Sequence, residues 1–217
     1  MYWQDEGYLL SKNNFDENSI IIEAFTYEHG KFNGIVYGGS SKKQKKYFQI
    51  GNKILLNWRS KSHNKAGYFN TELISAISPM YFDDKKRSVC ILAAASILKI
   101  LLPERQSNKI IYNSFEKMML NLKSDNWIDQ YIFWEYSLIK QLGFEIDLPK
   151  EKNTTDINGK IFKIPNIILK KSMNNSSSEI KEALSFNRNL IVENFIKPNH
   201  LSFPFFRKIL ESYYEGK

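Results

Sequence analysis

Four lysines occupy five positions at Lys42-Lys43-Gln44-Lys45-Lys46, directly after Gly38-Gly39-Ser40-Ser41. Glycines ahead of lysine are the makings of a phosphate loop, in which backbone N–H groups and an ammonium hold a nucleotide. The spacing departs from that pattern. Gly34 and Gly39 have the required separation, but Ser40 stands where the lysine belongs, and no helix is expected to follow. What remains is a basic loop suited to neutralising backbone phosphates. Other reactive residue types are scattered. His29, His63 and His200 lie far apart, without metal-ligand spacing or a neighbouring cysteine. Asp5-Glu6 and Asp83-Asp84 are paired carboxylates, each beside an expected element boundary, where caps and solvated turns use such pairs. Cys90 is the single cysteine and sits in Val89-Cys90-Ile91-Leu92-Ala93-Ala94-Ala95 with no basic neighbour, so it reads as a buried structural thiol. A lone cysteine makes neither an intrachain disulfide nor a multi-thiolate zinc site. No catalytic constellation, cofactor site or metal site emerges, and the expectation is a binding protein rather than an enzyme.

The lysine surplus has a location as well as a size. The 217 residues carry a formal charge of +8 and are 42% hydrophobic, enough apolar side chain for one large domain or two small ones. A surplus of that size concentrates phosphates around a small protein. The chain has 26 Lys and 21 Asn against 5 Arg, the bias of codons rich in A and T. Codon drift does not remove acids, however. Between Lys31 and Lys65 there are nine basic residues, Lys31, Lys42, Lys43, Lys45, Lys46, Lys53, Arg59, Lys61 and Lys65, and no acidic one. Tyr37, Tyr47, Phe48, Trp58 and Tyr68 are interleaved with them, as stacking surfaces for bases or as core.

The elements that must position these residues change character near Pro79. Before it, β-branched and aromatic stretches broken by Gly and Asn predict five strands, at Gly7 to Lys12, Ser19 to Thr26, Lys31 to Tyr37, Lys53 to Arg59 and Tyr68 to Ala76. Glu28-His29-Gly30-Lys31 makes a tight turn between the second and third. Five short strands in so few residues fit a small closed or partly open barrel. After Pro79 the period is helical. Asp83 or Asp84 caps a helix to about Leu102, a second runs from about Ile110 to Leu122, and a third starts from a cap at Ser124 or Asp125 and stops at Gly143. Phe144 to Leu169 loses the period, with a turn signal at Thr154 to Lys160. Ser178 can cap a helix starting at Glu179, and helical segments at about Leu184 to Phe195 and Phe203 to Tyr214 complete the chain. The longest apolar run, Val89 to Leu102, contains Ser96 and Lys99 and stops at Pro103, short of the ~20 residues of a membrane span. It reads as a buried helix. Asp5 and Glu6 stand where an export signal would be basic and then apolar, so a cytoplasmic protein is expected.

Asp16-Glu17-Asn18-Ser19-Ile20-Ile21-Ile22, leading to Phe25-Thr26-Tyr27-Glu28-His29-Gly30-Lys31 and then Gly34-Ile35-Val36-Tyr37-Gly38-Gly39-Ser40, resembles the amino-terminal barrel of the RecO family of bacterial recombination mediators. Members carry an E-x-S-x-I-V stretch, an F-T-x-E-x-G turn and a basic loop after a glycine. Phe133-Trp134-Glu135-Tyr136-Ser137-Leu138-Ile139-Lys140-Gln141-Leu142-Gly143-Phe144 is similar to the family's W/F-E-x-x-L-L-x-x-L-G-F/Y helix. The resemblance implies an α+β fold: a five-stranded OB-fold barrel over residues 1–78, then an α-helical domain over 79–217 with a hairpin or irregular excursion at 144–169. Many relatives hold zinc in that excursion with cysteines. Here it has none, so zinc is not carried over and packing must hold the segment.

The resemblance also implies a non-enzymatic DNA-repair protein, monomeric when free and associated with the nucleoid rather than a membrane. Such a protein binds single- and double-stranded DNA and anneals complementary strands coated with single-strand-binding protein. With RecR it helps replace that coat by RecA, its indirect partner. The expected DNA contacts are Lys31, Lys42, Lys43, Lys45, Lys46, Arg59, Lys61 and Lys65, with Tyr47 and Trp58 stacking on bases. The acidic, apolar tail of single-strand-binding protein is expected on the helical domain, on the helix from Trp127 to Leu142, where the contact role of Trp134 and Lys140 competes with plain core and solvated-face roles, which are preferred for both; Arg207 and Lys208 are further rim cations. Two other readings stand beside this one: an OB-fold RNA-binding module without a recombination role, and an enzyme with a dispersed site.

Overall fold

The computed structural model describes residues 1–60, 67–144 and 153–215, without the side chains of Lys43 and Lys45. The fold class is α+β. Five strands, β1 (Tyr2–Asn14), β2 (Ser19–Thr26), β3 (Gly30–Tyr37), β4 (Lys53–Arg59) and β5 (Tyr68–Ser75), form a closed barrel in the order β1-β2-β3-β5-β4. β2 and β4 have the expected bounds and β3 and β5 differ from them by one residue, but β1 runs from Tyr2 to Asn14 rather than from Gly7 to Lys12. Its first half pairs with β4 and its second half with β2, and a register shift between Leu9 and Ser11 bends it from one to the other. A one-turn helix, α1 (Lys42–Lys45), joins β3 to β4, where a flexible loop without a helix was expected.

Alternate residues of every strand point inward. Leu9, Ile20, Ile22, Ala24, Phe32, Val36, Ile54, Leu56, Trp58 and Phe69 make one core, completed by Phe48 from the connection after α1. Glycine is required where the barrel closes. A Cβ at Gly67 would overlap the Trp58 indole, and one at Gly34 would overlap the Phe69 ring. The β2–β3 turn is gripped from β1: Asp5 Oδ2 accepts from the backbone N–H groups of Glu28 (2.8 Å) and His29 (3.1 Å), and lies 2.9 Å from His29 Nδ1. Asp5 therefore lies inside a strand and anchors a distant turn, instead of marking an element boundary.

Strands give way to helices at Ser78, but packing divides the chain into compact units at Met1–Tyr112 and Asn113–Lys217. The difference arises because α2 (Lys85–Leu101) packs against β1. The outward residues Tyr8, Leu10 and Phe25 are consequently buried as well. Tyr112, in the first turn of α3 (Lys109–Asn121), sets its ring 5.6 Å from Tyr8 and 5.5 Å from Phe25. Cys90 is buried within α2.

Asp84 caps α2 by accepting from Arg87 N at 3.0 Å. Partial burial would raise its carboxyl pKa, but the Arg87 N–H and guanidinium and the Lys86 N–H outweigh that, holding it below the ordinary aspartate value. Asp84→Ala is expected to cost about 1 kcal/mol at pH 7, read as a lower urea midpoint with unchanged slope. Because the folded-state pKa is depressed, this contribution is present above the unfolded pKa and fades as pH falls through the folded one. The wild-type and Ala midpoints should therefore converge in acid.

The second unit contains α4 (Trp127–Gln141), the hairpin of β6 (Thr154–Ile157) and β7 (Lys160–Lys163), α5 (Asn166–Lys170), α6 (Ser177–Ile191), a π-helical turn at Val192–Ile196, and α7 (Phe205–Ser212). Gly143, at φ +94°, stops α4. Asn126, rather than Ser124 or Asp125, takes the N-cap position of α4, without a side-chain cap. Ser176, not Ser178, caps α6 through a reciprocal pair with Glu179. The segments expected to begin at Glu179 and Leu184 are one helix, since Ile180, Ala183, Leu184, Asn187, Leu190 and Ile191 continue a single buried stripe. The excursion's hairpin is tied by Asn158 Nδ2 donating to Glu193 O (3.1 Å) and by Lys160 pairing with Glu193 (2.9 Å). Among the described residues no helix is long and apolar enough to cross a membrane.

Candidate nucleic-acid interface

The basic cluster folds as a capped turn standing on the barrel. Ser41 is extended (φ −61°, ψ 149°) and its hydroxyl accepts from Gln44 N, which starts α1 at Lys42. Phe48, almost fully buried, pins the far end into the barrel core. Lys42 and Lys46 are exposed, and Lys46 Nζ lies 5.3 Å from the centre of the Tyr47 ring. With no acid in the first turn and Lys42 and Lys46 exposed at i and i+4, the turn carries positive charge that a polyanion relieves. Tyr47 is half-buried, and its carbonyl accepts from Asn52 Nδ2 (3.1 Å).

The remaining expected contacts divide. Arg59, at the end of β4, is exposed with its guanidinium 5.4 Å from the Tyr2 ring. Lys61 and Lys65 lie outside the described residues. Lys31 is not a free phosphate contact. It is 8% exposed, and its ammonium donates to Lys99 O (2.7 Å) near the C-terminal end of α2 and lies 3.8 Å from Glu23. Trp58 is not a stacking surface. It is 4% exposed and packs inside the barrel, 5.6 Å from Trp3 and 5.4 Å from Phe32. Strand alternation sends Trp58 inward and Arg59 outward, so one residue cannot serve the core while its neighbour does.

The outward face carries aromatics that the sequence reading did not select as contacts. Tyr2 is opposite Arg59, Arg59 is opposite Tyr68, and the Tyr68 ring lies 5.9 Å from that of Tyr37. The signal was available in the period-2 pattern: once Trp58 and Phe69 are inward, Arg59 and Tyr68 must face out.

In the second unit Trp134 is buried against Phe115 (5.7 Å) and Tyr131 (5.6 Å). It borders a shallow cleft of about 170 Å³ with Lys117, Met118 and Phe133. Lys140 and Lys208 are exposed. Arg207 is not a rim cation. It is fully buried and forms two hydrogen bonds to Glu135, at 2.6 and 3.0 Å, and one to Glu211 at 3.1 Å. Among the described residues no group of three or more His, Cys, Asp or Glu is placed to hold a metal ion.

A small closed barrel with an exposed cationic turn between two of its strands, followed by helices, is a barrel of the OB-fold type. The family model described as Recombination protein O N terminal matches residues 1–77, and the one described as Recombination protein O C terminal matches residues 83–166. The chain belongs to the RecO family. Similar relatives include DNA repair protein RecO of Wolbachia sp. subsp. Drosophila simulans (strain wRi), 32% identical over 152 residues, and that of Ehrlichia chaffeensis, 33% identical over 152 residues. A third, from Cereibacter sphaeroides (strain ATCC 17025), is 32% identical over 148 residues. The matches cover 68–69% of this chain and 62% of each relative's length.

Proposed function

We propose that this chain is a DNA-repair and recombination mediator that works by binding rather than by catalysis. It holds single- and double-stranded DNA on the barrel and anneals complementary strands coated with single-strand-binding protein. With RecR it promotes loading of RecA. The observation that carries this reading is the run of lysines, free of acids, raised as an exposed turn on an OB-type barrel of the RecO family. Phosphate contacts carry no sequence information, so a cationic surface screens the repulsion between two strands whatever their bases.

The cleft beside Trp134 supports a place for the partner's tail. Met118 and Phe133 offer apolar walls and Lys117 an ammonium for an acidic, apolar peptide, and the exposed Lys140 lies further along α4. The test is annealing of complementary strands precoated with the cognate single-strand-binding protein, either intact or lacking its acidic tail. Fast annealing with the intact coat and loss with the tailless one is the expected result. Absence of annealing with either coat overturns the proposal.

A further inference from the structure

We infer that the outer face of the barrel formed by Tyr2, Arg59, Tyr68 and Tyr37 is a stacking platform for unpaired bases; this rests on the proposed DNA-binding role and names the part of DNA that this face takes. Tyr2, Arg59 and Tyr68 are register partners on β1, β4 and β5, so their side chains leave the same face in one row. Tyr37 on β3 extends the row through its ring contact with Tyr68. Tyr2 is 59% exposed and Tyr37 66%, and a cleft of about 540 Å³ opens over Met1, Tyr2, Arg59, Ser60 and Tyr68. Aromatic rings scattered singly over a surface need no explanation, but here two pairs, Arg59 over Tyr2 and Tyr68 against Tyr37, stand side by side on one face.

The neighbouring rows give the platform a direction. Two residues along, Gln4, Asn57 and Asn70 are again register partners, with Asn57 Oδ1 accepting from Gln4 Nε2 (2.9 Å) and Tyr2 Oη (3.2 Å). This places fixed amides beside the rings, where base edges need donors and acceptors. Two residues further on stand Glu6 and Glu72, flanking Leu55. Lys53 pairs with Glu6 (2.7 Å), but the Glu72 carboxylate disfavours a phosphate backbone there and favours a strand on the aromatic row. At its other end the row runs into Tyr37, five residues before Lys42 and the basic turn. Bases lie on the rings while phosphates continue toward the lysines.

The test compares the full chain's binding to a labelled oligothymidylate with its binding to an abasic strand of equal length and phosphate number, and to a duplex. The wild-type protein is expected to prefer the base-bearing strand by about tenfold or more, since each base–ring stack is worth roughly a tenfold change in affinity. A Tyr2→Ser/Tyr37→Ser/Tyr68→Ser variant should lose that preference while keeping duplex and abasic binding, and the corresponding Phe variant should retain it. Equal wild-type affinity for the base-bearing and abasic strands overturns the inference and leaves the DNA-binding role intact. Failure to bind any of the three DNAs overturns both.

Discussion

Replacing Lys42, Lys43, Lys45 and Lys46 together by glutamate is expected to lower single-stranded DNA affinity by about two orders of magnitude at low salt, and to abolish annealing. Each ammonium that neutralises a phosphate on a single strand adds roughly 0.7 to the slope of log affinity against log salt, so four contribute about 2.8. Raising salt from ~50 to ~200 mM should then cost the wild-type protein about fifty-fold from this turn alone, whereas the variant should respond far less. The four-glutamine variant separates loss of attraction from added repulsion, and should fall between the two with the same flattened slope. Neither variant threatens the barrel, because the turn contributes no core residue and acids at the start of a helix suit its dipole. Unchanged affinity and an unchanged salt slope would remove the turn from the interface.

The second large effect concerns stability. Arg207 and Glu135 are both fully buried, joined by a bidentate pair in which Arg207 Nε and Nη2 donate to the two carboxylate oxygens. Arg207 Nη2 also donates to Leu184 O (2.7 Å), and Tyr131 Oη to Glu135 Oε1 (3.0 Å). Glu211 accepts from Arg207, from Ser185 Oγ (2.7 Å) and from Arg188 Nε (3.2 Å). Burial alone would depress the Arg207 pKa, but Glu135, Tyr131 and Glu211 lift it above its ordinary value, so the guanidinium stays charged.

Removing either partner strands the other charge in the core. Arg207→Met or Glu135→Leu alone is expected to cost about 3–5 kcal/mol in urea unfolding. The double variant, which removes both charges, should be much less destabilised than the sum. Additive losses would show that the pair acts as two independent packing elements. The three α-helical segments that meet here, α4, α6 and α7, are thereby held in one arrangement by directional bonds as well as by apolar packing.

The two kinds of side chain were unequally readable. β-branched and aromatic stretches made β2 and β4 legible to the residue, because their apolar positions are taken up by the barrel core. β1 was foreshortened because Asp5 and Glu6 read as a solvated boundary. Asp5 is in fact buried, compensated by turn N–H groups that only the folded chain brings to it. Arg207 was misread for a related reason. Its spacing from Leu210, Glu211 and Tyr214, at i+3, i+4 and i+7, already put it on the buried stripe of α7, yet its partner Glu135 is 72 residues away. The lysine turn was legible as charge because the missing acids are a property of sequence alone. The aromatic row was not, since it is assembled from three strands in register and a ring contact from a fourth, and one shifted pairing would have dispersed it.

The barrel's fastening has its own physics. Four of its five joints are ladders of seven or eight residue pairs, whereas among the described residues β3 meets β5 through one parallel pair, Ile35 and Tyr68, with Ile35 N donating to Gly67 O (3.0 Å). At that joint Trp58 and Phe69 fill the space that Gly67 and Gly34 leave open, so apolar packing does most of what hydrogen bonds do elsewhere. Burial of apolar surface weakens as water is cooled. The joint beside Tyr37 and Tyr68 is therefore expected to lose amide-exchange protection on cooling before the ladders do.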